Sequence, residues 1–188
     1  ELFAEAKKLG IELLSGIEIS SELDAVSVHI LGYGYDLHDP GLKKFLVLMQ
    51  ERRAERNRAI LKKLAQRNMH ITEEELKAFA AERTIGRPHI AQMMVKKGYV
   101  QTPRDAFDFY LKEGALCYAS GIKYHPLEAI KQIQKAKGKA VLAHPHFIKK
   151  GSFLRKLLAL PFNGIECYYS RLAKALEFPW LKIAKERG

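Results

Sequence analysis

Apolar and polar positions follow two different periods along this chain, and the changes between them outline the expected elements. A helical stretch over residues 1–9 stops at Gly10, a natural left-handed cap. Ile11 to Ser20 reads as a strand broken at Gly16, with Ile17 and Ile19 on one face and Glu18 on the other. The polar run from Ser20 to Asp24 predicts a turn, and Ala25–Tyr33 a second strand. Val26, Val28 and Ile30 share one face of that strand, while Ser27, His29 and Leu31 share the other. The period then becomes helical: Leu42, Phe45, Met49, Ile60 and Leu64 form one stripe of a long helix over residues 42–67.

The spacing of Thr72 and Glu75 marks a capping box and predicts a helix over 73–82. Pro88 sits in the first turn of a helix over 88–97, and Thr102-Pro103 opens another that reaches Lys112. Residues 115–124 show no regular period. Beyond them the order is helix 126–137, strand 139–143, helix 153–160, strand 164–169 and helix 171–187. This alternation predicts an α/β chain with a parallel sheet, open or barrel-like. The expected division is a core of residues 1–45 with 125–188, and a helical insertion over 46–124.

Candidate chemistry gathers at strand ends. His144 closes an apolar strand, and Pro145 behind it cannot continue a ladder, so the imidazole is presented where the strand stops. Glu18 and His29 each oppose the β-branched face of their own strand, and pairing of the two strands puts both on one polar surface. A carboxylate and an imidazole suit a divalent transition metal; the same pair also suits a Glu–His hydrogen bond or a solvated strand face. On the long helix, Arg52 or Arg53 and Arg56 fall on the apolar stripe. A guanidinium there is costly unless it meets an anion, so either the helix projects beyond the core or those groups face a phosphate. Arg87 and His89 lie at a helix N-terminus, where free N–H groups favour phosphate as well.

Composition adds a partner class. Thirty-two Lys+Arg against 21 Asp+Glu give a net charge of +11, which favours a nucleotide, nucleic acid or phosphorylated metabolite. No apolar run approaches a membrane span, and Cys117 and Cys167 fit reduced thiols in a cytoplasm. The chain opens at Glu1 with what reads as a helix already under way, so a fragment is expected.

Five segments in order carry a resemblance: Gly16-Ile-Glu-Ile-Ser20, His29-Ile-Leu-Gly-Tyr33, Gly86-Arg-Pro-His-Ile-Ala91, Val141-Leu-Ala-His-Pro145 and Gly164-Ile-Glu-Cys-Tyr-Tyr169. The chain resembles the PHP (polymerase and histidinol phosphatase) superfamily, and most of all its small stand-alone phosphoesterases with a helical insertion. That resemblance implies a distorted (β/α)7 barrel, incomplete here, with up to three divalent ions (manganese, zinc or iron) at the strand ends. Glu18 would bridge two ions, and His29 and His144 would complete the coordination of one, so Glu18 and His144 are the catalytic candidates. Arg87 and His89, with Arg56 and Lys123, would grip the substrate phosphate. The implied activity is hydrolysis of a phosphate ester of a nucleotide or RNA 5′ end by a metal-activated water, in a cytoplasmic monomer. A histidinol-phosphate-type phosphatase and a non-catalytic module of a larger protein remain alternatives. The resemblance also implies a His-x-His pair, an Asp and a further ligand histidine before Glu1, and an Asp-x-His after Gly188.

Overall fold

A computed structural model describes residues 2–81, 83–121, 124–148, 151–170 and 173–187. The chain divides into two compact units, residues 1–45 with 123–188 and residues 46–122.

The first unit is built on a mixed sheet. Helix α1 (Leu2–Lys8) precedes β1 (Gly16–Leu23) and β2 (Val26–Tyr33), which form an antiparallel hairpin. Helix α6 (Pro126–Lys135) leads into β3 (Lys139–Leu142), and β4 (Gly164–Ile165) follows later; the sheet order is β1-β2-β3-β4. Ile19, Val28, Ile30, Ala140 and Leu142 are buried on one face, and Ile130 and Ile133 of α6 are buried with them as that helix packs on the first three strands. The approach is close enough to require glycine. A Cβ at Gly32 would lie 3.0 Å from Ile17 Cγ2 and 3.1 Å from Ile133 Cδ1, and one at Gly138 only 2.8 Å from Tyr35 Cβ. Glu18, Ser20, His29 and Leu31 project from the opposite face by the two-residue alternation of the paired strands.

Several expectations are corrected here. Residues 11–15 form no strand, because β2 ends opposite Gly16 and offers them no further ladder. The first turn is shorter than the polar run suggested: Ser20, Ser21 and Glu22 stay in β1. Ser21 tolerates burial because its hydroxyl donates to the Val28 carbonyl at 2.8 Å. Only Asp24 and Ala25 turn, with φ of 48° and 62°, the left-handed pair of a two-residue hairpin loop. The parallel pairing expected beyond residue 125 is that of β3 with β4, whereas β2 runs antiparallel to both β1 and β3. The fourth strand also stops at Ile165, because β3 ends at its partner Leu142. Helix α7 (Ser152–Leu158) precedes β4, and the last helix is a 3-10 turn (Lys174–Leu176) followed by α8 (Phe178–Arg187), with Pro179 in its first turn.

The second unit is helical. Residues Pro40–Ala65 form α2, of which residues 46 onward belong to this unit together with α3 (Glu73–Ala80) and α4 (Arg87–Lys96). The expected helix up to Lys112 is instead a short α5 (Pro103–Ala106) widened into a π-helical turn (Phe107–Leu111). Ile60, Leu64, Leu76, Ile90, Met94 and Leu111 fill its core. Thr72 and Glu75 form the expected capping box: Thr72 Oγ1 accepts from Glu75 N at 3.2 Å and Glu75 Oε2 accepts from Thr72 N at 2.8 Å. Among the described residues no helix is long and apolar enough to cross a membrane.

Candidate metal centre

Strand register brings the first two candidates together. Ser20 pairs with His29 and Glu18 with Leu31, so Glu18 and His29 are diagonal neighbours on one face of the hairpin. Glu18 Oε1 lies 2.8 Å from His29 Nδ1. The third candidate arrives by a different device. Strict alternation beyond β3 would put His144 on the buried Ala140–Leu142 face. Instead His144 adopts φ 27° and ψ 56°, a left-handed turn that costs a non-glycine residue about 1–2 kcal/mol. Its imidazole thereby joins the opposite face, with Nε2 3.1 Å from His29 Nδ1 and 3.3 Å from Glu18 Oε1. The two rings meet edge to face at 4.9 Å between centroids.

These three donor atoms all lie within 4.8 Å of one another. The donor chemistry fits a divalent ion: two imidazole nitrogens and one carboxylate oxygen are a common ligand set. The spacing fits as well, because a tetrahedral ion with bonds of about 2.0–2.1 Å separates its ligand atoms by about 3.3–3.4 Å. All three side chains keep solvent contact, and a three-ligand site with an open position is the pattern of catalytic rather than structural ions. Sulfur is not part of this site: both cysteines are buried, and burial pushes both thiols above their ordinary pKa.

The remaining candidates lie in the helical unit. Arg56 donates from Nη2 to Asn57 Oδ1 at 3.0 Å, and among the described residues its buried Nε has no partner. Burial, then the neighbouring charges of Arg87 and Arg53, lower its pKa from 12.5 to about 10. Arg87 donates from Nη2 to the Ala119 carbonyl at 3.1 Å and lies over the Tyr118 ring at 4.9 Å, while its buried Nε is also unpartnered. Among the described residues no carboxylate pairs with Arg53, Arg56 or Arg87, so like charges face one another without a counter-ion. That arrangement suits an anion. The Nδ1 of His89 accepts from the Gly86 N–H at 3.1 Å, which makes this ring part of the helix start. Lys123 lies outside the described residues.

Sequence reading assigned no role to Glu166. Its Oε2 accepts from the His144 backbone N–H at 2.6 Å. No local pattern signals this contact; it becomes visible only when Leu142 pairs with Ile165 and brings the two strand ends together. Around His144 also stand Phe147 at 5.9 Å and Tyr169 at 6.3 Å between ring centroids.

No model of a known protein family matches the chain. The 5′-3′ exoribonuclease Rnm of Salmonella typhimurium is 32% identical over 152 residues, which cover 80% of this chain and 52% of that protein. The 3′,5′-nucleoside bisphosphate phosphatase of Chromobacterium violaceum is 32% identical over 165 residues, covering 87% of this chain and 58% of that one. A solved Bifidobacterium adolescentis structure, assigned as a metal-dependent phosphoesterase, superposes on 98% of this chain and 67% of its own with a TM-score of 0.84 at 26% identity. The chain is thus similar over most of its own length to an exoribonuclease and to phosphoesterases. Its fold is accordingly that of the barrel-type phosphoesterases, and the PHP resemblance drawn from the five motifs holds. The chain spans about half the length of the curated relatives that it matches.

Proposed function

We propose that the protein is a metal-dependent phosphoesterase that hydrolyses a phosphate ester of a nucleotide or of an RNA 5′ end. The observation that carries this reading is the convergence of Glu18, His29 and His144 on one open point of the sheet. The relatives' named activities, on nucleoside bisphosphates and on RNA from the 5′ end, support the substrate class. In this reading Glu18, His29 and His144 would hold a divalent ion (manganese, zinc or iron). When bound, the ion would supply Lewis acidity and lower the pKa of a water molecule it holds.

The chain's own residues supply the rest. Before an ion binds, Glu18 Oε1 lies 2.8 Å from His29 Nδ1 and 3.3 Å from His144 Nε2, which keeps both rings aimed at the same point. Arg56 and Arg87, which have no carboxylate partner among the described residues, bind phosphoryl oxygens by charge-assisted hydrogen bonds. His89, with Nδ1 committed to Gly86, has Nε2 for the substrate. In this reading the helical unit, residues 46–122, is the substrate-gripping insertion, and the remaining residues are the metal-bearing core.

The test compares turnover of a nucleoside 3′,5′-bisphosphate, a short 5′-phosphorylated RNA and histidinol phosphate at fixed metal. It uses a complete protein that carries this chain, since these 188 residues alone are expected to be inactive. Preference for either nucleotide substrate supports the reading. Preference for histidinol phosphate moves the protein to the other phosphatase class, and no turnover of any of them removes the enzymatic reading.

A further inference from the structure

Glu166 has no part in the ligand set, yet it makes one of the shortest polar contacts of the first unit, 2.6 Å from Oε2 to the His144 backbone nitrogen. The bond sits at a point of backbone strain. His144 is the last residue before Pro145, and proline disfavours helical conformations in the residue before it. At φ 27° it also lies in the left-handed region that a side chain with a Cβ seldom adopts. Beyond Leu142 the ladder to β4 has ended, so the strand pairing no longer dictates where this peptide points. The Glu166 backbone N–H still donates to the Leu142 carbonyl at 2.9 Å, which anchors the residue to the end of β3. Its carboxylate then reaches across and fixes the peptide two residues on. The orientation of that peptide decides which face of the sheet the His144 imidazole occupies.

We propose that Glu166 is a positioning residue: by accepting the His144 N–H it holds the left-handed turn that aims Nε2 at Glu18 and His29. The inference rests on the metal-site reading and deepens it. Glu166 acts on the ion only through the backbone of one of its ligands. The charge of the carboxylate is secondary to its acceptor oxygen, so glutamine preserves the effect and alanine does not. Groups that orient a ligand in this way typically change metal affinity by about 10–100-fold when removed.

The experiment measures zinc or manganese affinity by competition with a chromophoric chelator, in the wild type, Glu166→Ala and Glu166→Gln, with thermal unfolding of the metal-free proteins alongside. The expected result is a loss of affinity of about 10–100-fold for Glu166→Ala, while Glu166→Gln stays within a few-fold of wild type. In ¹⁵N-histidine-labelled metal-free protein, one strongly downfield backbone amide is expected in the wild type and absent in Glu166→Ala. Unchanged affinity in Glu166→Ala, or equal losses in both variants, overturns the positioning role. If Glu166→Ala fails to fold, Glu166→Asp, one methylene too short, replaces it: weakened binding with near-wild-type unfolding supports the role, and unchanged binding overturns it. A wild type that takes up no ion overturns the metal-site reading and the role of Glu166 with it.

Discussion

Inorganic phosphate should stabilise the helical unit through Arg56 and Arg87, by an amount that can be worked from the arginine environment. The fall of the Arg56 pKa from 12.5 to about 10 corresponds to roughly 3 kcal/mol against its charged form at about 1.4 kcal/mol per tenfold. Water still reaches this half-buried group, and that screening brings the figure to about 1–2 kcal/mol. An anion between the guanidiniums offsets both causes: it replaces the water lost on burial and neutralises the repulsion from Arg87 and Arg53. Recovery of about 1–2 kcal/mol raises the midpoint by about 2–8 °C, at about 2–4 °C per kcal/mol for a chain of this length. The assay is thermal unfolding against phosphate concentration at constant ionic strength, with chloride as the balancing ion. Arg87→Met keeps the apolar stem over Tyr118 and removes the charge, so its phosphate-dependent rise should fall below about 1 °C, the residue of non-specific salt effects. Equal rises in wild type and Arg87→Met would refute the anion site, because phosphate would then be acting on the whole surface.

Three further outcomes follow from the packing and the caps. Ile30, with none of its side chain exposed at the centre of the sheet, should cost about 2–5 kcal/mol when cut to alanine; urea unfolding checks this, and a loss under about 1 kcal/mol contradicts its place in the core. Thr72→Ala should cost about 1 kcal/mol by removing the N-cap acceptor of α3, again by urea unfolding. Glu75 is held below its ordinary carboxylate pKa by Lys97 first and by the Thr72 N–H second. A depressed folded value means that this contribution is present above the unfolded pKa of 4.5 and is lost as pH falls through the folded value. Unfolding midpoints measured across the acid range should therefore decline less steeply in Glu75→Gln than in wild type.

Different parts of this molecule were legible in the sequence to different degrees, and the reasons are physical. Glu18 and His29 could be placed on one face because a strand's alternation is local and the hairpin register preserves it. The capping box at Thr72 was legible for the same reason, since both of its partners lie within one turn. The cost of Arg56 on an apolar stripe was visible too, although its unpartnered Nε and the facing Arg87 emerge only from tertiary packing. His144 could be picked as a strand-end histidine, but alternation would have put it on the wrong face; the left-handed backbone that corrects this has no signature in the residue itself. Glu166 was silent because its partner lies 22 positions away and meets it only through the parallel pairing of β3 with β4. Residues 11–15 look like strand by composition and are none, since a ladder needs a neighbour as well as a propensity.

The central claim is that Glu18, His29 and His144 together hold a divalent ion. Its most direct test is the metal content of purified protein after equilibrium dialysis against manganese or zinc, read by elemental mass spectrometry. The wild type should retain at least one equivalent, and Glu18→Gln, His29→Ala and His144→Ala should each lose an equivalent, while His125→Ala, whose ring caps α6 instead, should match the wild type. Wild-type metal content in any one of the three triad variants would contradict the account.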